Sequence, residues 1–209
     1  MKEYENSGHM QEVNNSEPVT KNLFYLPQNP VVKLSSLTTK LRVVFDGSAK
    51  SSTGVSINNV LMRGPTVQEE LFSILIRFRT HQYVITADVE KMFRQVGVSK
   101  EDQDLQRIVW RERPSEVLRI YRLATVTYGT TSASFMATQC VASLAEAEKL
   151  RFPKAVKAIR RDFYMDDLMT GAETIDECKM LQSQISMFLE SAKLPLRKWC
   201  LIQPRYSKA

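Results

Sequence analysis

A chain of 209 residues, 43% hydrophobic and 25% charged, has the makeup of an ordinary globular protein with room for one domain or two subdomains. Its three cysteines, Cys140, Cys178 and Cys200, are odd in number and widely spaced, which argues against a disulfide framework or zinc site and for a reducing compartment. A net charge of +6 points only weakly to a nucleic-acid partner, and the longest apolar runs fall far short of the roughly 20 residues a membrane span needs.

Residues 1–22 are polar with few apolar anchors and read as a loosely held lead-in without a secretory signal. Phe24 to Leu34, broken by Pro27 and Pro30, reads as extended chain. Leu41 to Asp46 is β-branched and closed by Gly47, as a strand would be, and Lys50 to Asn59 reads as a loop. After Pro65, the spacing of Val67, Leu71, Leu75 and Phe78 predicts a helix with Glu69, Glu70, Arg77 and Arg79 mostly off its apolar face. Tyr83 to Ala87 reads as a buried strand ending at Asp88.

Two further strands are expected at Leu105–Trp110 and Val117–Leu123, and a helix over Ser132–Leu150. Phe163 to Thr170 reads as a short hairpin centred on Met165-Asp166. Thr174 and Glu177 form a capping-box pattern, after which Cys178, Leu181, Ile185 and Phe188 keep helical spacing. Pro195 ends that helix, and Leu196 to Leu201 can form a last strand. From Tyr83 onward the order is that of a β-α-β-β-α-β unit, so the expected class is α+β, an antiparallel sheet with helices on one face. Such an order serves many functions and decides none.

Three acids carry the chemistry. Asp88 closes an apolar strand, and Asp166 and Asp167 sit at a hairpin tip between apolar residues. Vicinal carboxylates repel each other and resist burial, and a cation relieves both costs. If the first strand and the hairpin are sheet neighbours, Asp88 meets the pair at one edge, where hard oxygen ligands suit Mg²⁺. The plainer readings stay open: Asp-Asp as an ordinary turn, and Asp88 as a solvated strand end.

Read together, these pieces resemble a reverse transcriptase. Tyr164-Met165-Asp166-Asp167 looks like the YxDD (here YMDD) motif. Thr86-Ala87-Asp88, followed by Phe93, resembles the first catalytic motif. Leu41 to Asp46 resembles a fingers strand, and Tyr128-Gly129 to Phe135 resembles the turn and helix beneath template and incoming nucleotide. Tyr25-Leu26-Pro27, Val43 to Ser48, Gly64-Pro65-Thr66, Tyr121-Arg122-Leu123 and Leu196-Arg197-Lys198-Trp199 are similar to the Bel-Pao branch of LTR retrotransposons. Ser134 stands where the family motif usually has Pro.

The resemblance implies a right-hand polymerase with a ferredoxin-like palm: lead-in 1–22, fingers 23–82, palm 83–209, with the thumb absent. Asp88, Asp166 and Asp167 would be catalytic and hold two Mg²⁺ ions, with Mn²⁺ as a possible substitute. Arg42 would bond the triphosphate. The backbone N–H groups from Val89 to Met92 would cradle phosphates, and Phe93 would exclude a 2′-hydroxyl. Gly129 would allow close approach of template or nucleotide, and Lys198 would protonate pyrophosphate. The implied partners are an RNA or DNA template with primer, dNTP, and the rest of a polyprotein (thumb, RNase H, integrase), in a cytoplasmic, virus-like-particle setting with no membrane role. As an isolated chain it is expected to polymerise weakly or not at all. A catalytically silent nucleic-acid-binding remnant and an unrelated carboxylate nuclease are the alternatives.

Overall fold

In chain order the elements are α1 (Lys2–Asn6), β1 (Met10–Glu12), β2 (Gln28–Val32), β3 (Leu41–Phe45), α2 (Ile57–Val60), α3 (Leu71–Thr80), β4 (Tyr83–Val89), α4 (Met92–Gln95), β5 (Arg107–Trp110), β6 (Arg119–Leu123), α5 (Ala133–Ala147), α6 (Pro153–Arg161), β7 (Phe163–Tyr164), β8 (Asp167–Ala172), α7 (Ile175–Glu190) and β9 (Leu196–Ile202). They come from a computed structural model that describes residues 1–14, 22–34 and 41–203. The chain divides into two units, Met1–Gly64 with Val96–Ala133, and Pro65–Gln95 with Ser134–Ala209.

The first unit holds an antiparallel sheet of order β1-β6-β5 and a β2-β3 ribbon. Its core is Met10, Leu26, Phe45, Ile57, Ile108, Tyr121 and Leu123. Because Ile108, Tyr121 and Leu123 bury their side chains with Met10, Leu26, Phe45 and Ile57, segment 96–133 belongs here rather than with the residues on either side of it. The opening residues are also built in. Met10 pairs with Leu123 and is 2% exposed, so residues 2–12 form a helix and a strand where a loose lead-in was expected. The rest of that lead-in, 15–21, lies outside the described residues. Buried Asp104 pairs with buried Arg107 at 2.8 Å, which neutralises both charges locally.

The second unit is a four-stranded antiparallel sheet of order β7-β8-β4-β9. Central β4, Tyr-Val-Ile-Thr-Ala-Asp-Val, alternates less than a one-sided strand would, because Val84 and Ile85 are both buried. Helix α7 packs across β4, β8 and β9, α6 packs on α7 and β7, and α3 packs on β7 and β8. Phe163, Leu168, Ile185, Phe188 and Leu189 are at most 1% exposed, each contributing about 1.5–3 kcal/mol by burial. Helix α7 starts with the expected box: the Glu177 amide donates to Thr174 Oγ1 at 3.2 Å, and the Thr174 amide donates to a Glu177 carboxylate oxygen at 3.2 Å. Among the described residues no helix is long and apolar enough to cross a membrane.

Candidate active site

Strand register brings the acids together. Asp88, one residue from the end of β4, lies directly opposite Asp167, the first residue of β8. Tyr164 pairs with Asp167, so Met165 and Asp166 form a two-residue hairpin loop. Met165 has φ of +54° and Asp166 has no positive φ, the pattern of a turn that normally carries glycine at its first central position. The Val89 amide donates to the Asp166 carbonyl at 2.8 Å and ties the loop to β4. Thr86 to Asp88, Asp166 to Met169, and Lys198 line one open depression of about 470 Å³.

Lys198 enters from the other side of β4. Between Thr86 and Asp88 the pairing with β9 slips: two steps along β4 match three along β9, from Cys200 to Arg197. Lys198 lies in this bulge with φ of +54°, and its ammonium donates to Asp88 Oδ2 at 3.0 Å. A bulge re-aims a side chain, and here the extra residue sends a cation to the acids. Neighbouring Arg197 pairs with Glu90.

The carboxyl of Asp167 is pushed above the usual aspartate range, first by desolvation and then by the charges of Asp166 and Asp88, while Lys198 pulls it back. The two smaller contributions show that Asp166 and Asp88 lie close enough to Asp167 to repel its charge. Among the described residues no three His, Cys, Asp or Glu groups close into a ready-made ion cage. The acids instead line an open depression with Lys198 balancing Asp88, and hard oxygen donors of this kind suit a hard cation that keeps waters and substrate oxygens as ligands.

The other expected residues fare differently. Val89 is 1% exposed and its amide is used by Asp166, while the Glu90 amide donates to the Pro195 carbonyl. Of the amides expected to cradle phosphate, these two hold the strand end to its neighbours. Phe93 is half-buried on the single turn of α4. Arg42 is exposed on β3 in the first unit, paired with Val31. Gly129, also in the first unit, has φ of +92°, and a Cβ there would overlap the Phe45 carbonyl oxygen. The close approach that this glycine permits is therefore that of the chain's own strand end.

The contacts made by Arg77 and Gln68 have no counterpart in the sequence pattern. Arg77, expected off the apolar face of its helix, reaches inward: its guanidinium pairs with Glu69 at 2.8 Å and Asp162 at 3.2 Å, and bonds the Arg161 carbonyl. Asp162 also accepts from Thr170 Oγ1 at 2.9 Å, which fixes the base of the β7–β8 hairpin. At the hairpin tip, the Met165 amide donates to Gln68 Oε1 at 2.8 Å.

A family model described as reverse transcriptase (RNA-dependent DNA polymerase) matches residues 34–199. A comparison with curated proteins found no match. Among solved structures, the chain is similar to a foamy viral protease-reverse transcriptase in complex with double-stranded DNA, with TM-score 0.66 and 18% identity over 92% of this chain and 28% of that one. It is also similar to a mutant prototype foamy virus protease-reverse transcriptase, with TM-score 0.68 and 16% identity over 93% of this chain and 22% of that one. At these identities the likeness establishes the fold, and the chain spans about a quarter of each of those proteins.

Proposed function

This chain belongs to the reverse transcriptase (RNA-dependent DNA polymerase) family, and on that premise we propose that it is the fingers-and-palm portion of a retrotransposon polymerase that extends a primer 3′-hydroxyl with deoxynucleotides on an RNA or DNA template. The observation that carries this reading is the meeting of Asp88, Asp166 and Asp167 at one depression. Asp88 and Asp166 would hold two Mg²⁺ ions, or Mn²⁺ in their place, with Asp167 supporting them through its charge. When bound, the ions supply a lowered pKa at the primer hydroxyl and charge neutralisation at the departing pyrophosphate.

The chain's own groups do the rest. Lys198, now held by Asp88, would turn to the pyrophosphate and give it a proton. Phe93 would pack under the sugar and reject a 2′-hydroxyl. For Arg42 we propose a charge-assisted contact to the triphosphate, and for Gly129 a place in the turn that serves template and nucleotide. We assign the unit built on β4 to the palm and the unit built on β1-β6-β5 to the fingers. The stretches Tyr25 to Pro27, Val43 to Ser48 and Leu196 to Trp199 support a Bel-Pao origin. The partners would be primer–template, dNTP and the remaining polyprotein regions, in a cytoplasmic particle.

Mn²⁺ titration followed by electron paramagnetic resonance tests the site. The 209-residue chain is expected to bind Mn²⁺, and Asp166→Asn to lose most of that binding. Primer extension with Mg²⁺ and dNTPs is expected to be weak, because affinity for a duplex rests on many phosphate contacts. Mn²⁺ binding that Asp166→Asn leaves unchanged would reject the polymerase site and favour a silent remnant.

A further inference from the structure

The turn that carries Asp166 is held from outside the sheet by a side chain far away in sequence. A two-residue hairpin loop has polar backbone groups that its own ladder does not use. Here two of them have partners: the Asp166 carbonyl takes the Val89 amide at 2.8 Å, and the Met165 amide takes Gln68 Oε1 at 2.8 Å. The bond to Gln68 falls on the one loop residue with positive φ, where a side chain costs about 1–2 kcal/mol. A strained turn persists when its surroundings fix it, and Gln68 is one of the groups that fix this one.

Gln68 is itself presented by a fastened segment. It is half-buried just ahead of α3. The next residue, Glu69, pairs with Arg77, Arg77 pairs with Asp162, and Asp162 accepts from Thr170 on β8. The segment bearing Gln68 and the base of the hairpin are thus joined by one chain of charged groups. Gln68 then adds a contact at the tip, so the turn is gripped at both ends from the side of α3.

We infer that Gln68 is a positioning residue for the acid pair, holding the Met165 amide so that Asp166 and Asp167 keep their place beside Asp88. The metal half of this inference rests on the reading of those acids as the ion-holding set. The positioning half rests on geometry alone.

Two readouts on the 209-residue chain separate the halves. Gln68→Met keeps the length and removes the acceptor, Gln68→Glu keeps an acceptor oxygen, and Gln68→Asn, one methylene shorter, serves as a second loss variant should the first fail to fold. Amide hydrogen exchange at Met165 is expected to quicken about three- to tenfold in Gln68→Met, the net worth of one hydrogen bond. The amides of Val84 to Ala87 should keep their protection, and Gln68→Glu should restore that of Met165. Mn²⁺ affinity is expected to fall by a similar factor in Gln68→Met and to recover in Gln68→Glu. Unchanged exchange at Met165 overturns the inference. Quickened exchange with unchanged Mn²⁺ affinity overturns the claim that the contact positions the acids. A wild-type chain that binds no Mn²⁺ while its Met165 amide still answers to Gln68 sinks the metal reading and leaves the positioning of the turn standing.

Discussion

The ammonium of Lys198 lies 3.0 Å from Asp88 Oδ2, 110 residues earlier in the chain. A bulge and a left-handed backbone make this possible. The pair has an exposed lysine and a mostly covered aspartate, 66% and 23%, so its worth to stability is small. Its effect is on the charge of the depression, where one cation already balances one of the three acids.

Replacing Lys198 with Met should therefore tighten Mn²⁺ binding, by about three- to tenfold, since an exposed pair of this kind contributes up to about 1 kcal/mol. Thermal stability should barely move. Titration of wild type and variant at equal ionic strength checks this, and an unchanged or weaker affinity in Lys198→Met would count against a competing role for the ammonium.

The raised carboxyl of Asp167 makes a pH prediction with a definite sign. Below the ordinary aspartate value of about 3.9 the group is protonated in folded and unfolded chains and contributes nothing. As pH rises through that value toward the raised one, the unfolded chain ionises first and folding loses stability, and above the raised value the loss is constant. Asp167→Asn removes the loss. In metal-free buffer its melting temperature should match wild type below about pH 3.5 and exceed it by about 1–3 °C at pH 7, a modest gap because the residue is exposed. Melting curves across this range decide it.

Gly129 and Gly54 make a controlled pair. Both have positive φ, +92° and +80°. A Cβ at Gly129 would overlap the Phe45 carbonyl, whereas one at Gly54 meets nothing within 4 Å. Gly54→Ala should cost about 1 kcal/mol for its backbone alone. Gly129→Ala should cost at least about 3 kcal/mol, since strand end and turn must part. Denaturant titration of both variants gives the comparison, and equal losses would contradict it.

Asp104 and Arg107 are 4% and 9% exposed, and Arg122 stands 3.9 Å from the same carboxylate oxygen. Asp104→Ala should cost about 3–5 kcal/mol by leaving buried positive charge uncompensated. Arg107 has its own charge held more firmly by that partner, consistent with its raised pKa, for which the bond to Asp104 is the largest cause. Loss of the first unit's folded signal in Asp104→Ala, with the second unit's sheet retained, is the expected observation.

The acid-bearing strands were legible in the residues because local chemistry and tertiary placement agree there. Tyr83 to Ala87 is apolar and β-branched, and Tyr164 to Asp167 is a polar tip between apolar runs. Helix α6 was not foreseen. Its signal was Pro153 at the first turn followed by the buried pairs Ala155-Val156 and Ala158-Ile159, a pattern easily hidden behind the longer α5. Gln68 left no trace, because a single bond to an amide 97 residues away imposes no periodicity. The bulge at Lys198 was equally silent, since a left-handed backbone announces itself only when glycine occupies it. Segment 96–133 is silent for a similar reason: its strands are locally plain, and only the distant partners of Ile108 and Leu123 decide which core they join.

The placement of β4 between β8 and β9 has a consequence for biogenesis. Residues 83–89 leave the ribosome roughly a hundred positions before 196–202, and each flank of the strand must wait for its own hydrogen-bonding partner. Through that interval a buried-type segment, Val-Ile-Thr-Ala, travels with bare edges. Nascent-chain capture by chaperones should accordingly peak after residue 90 has emerged and fall once residues 196–202 are out.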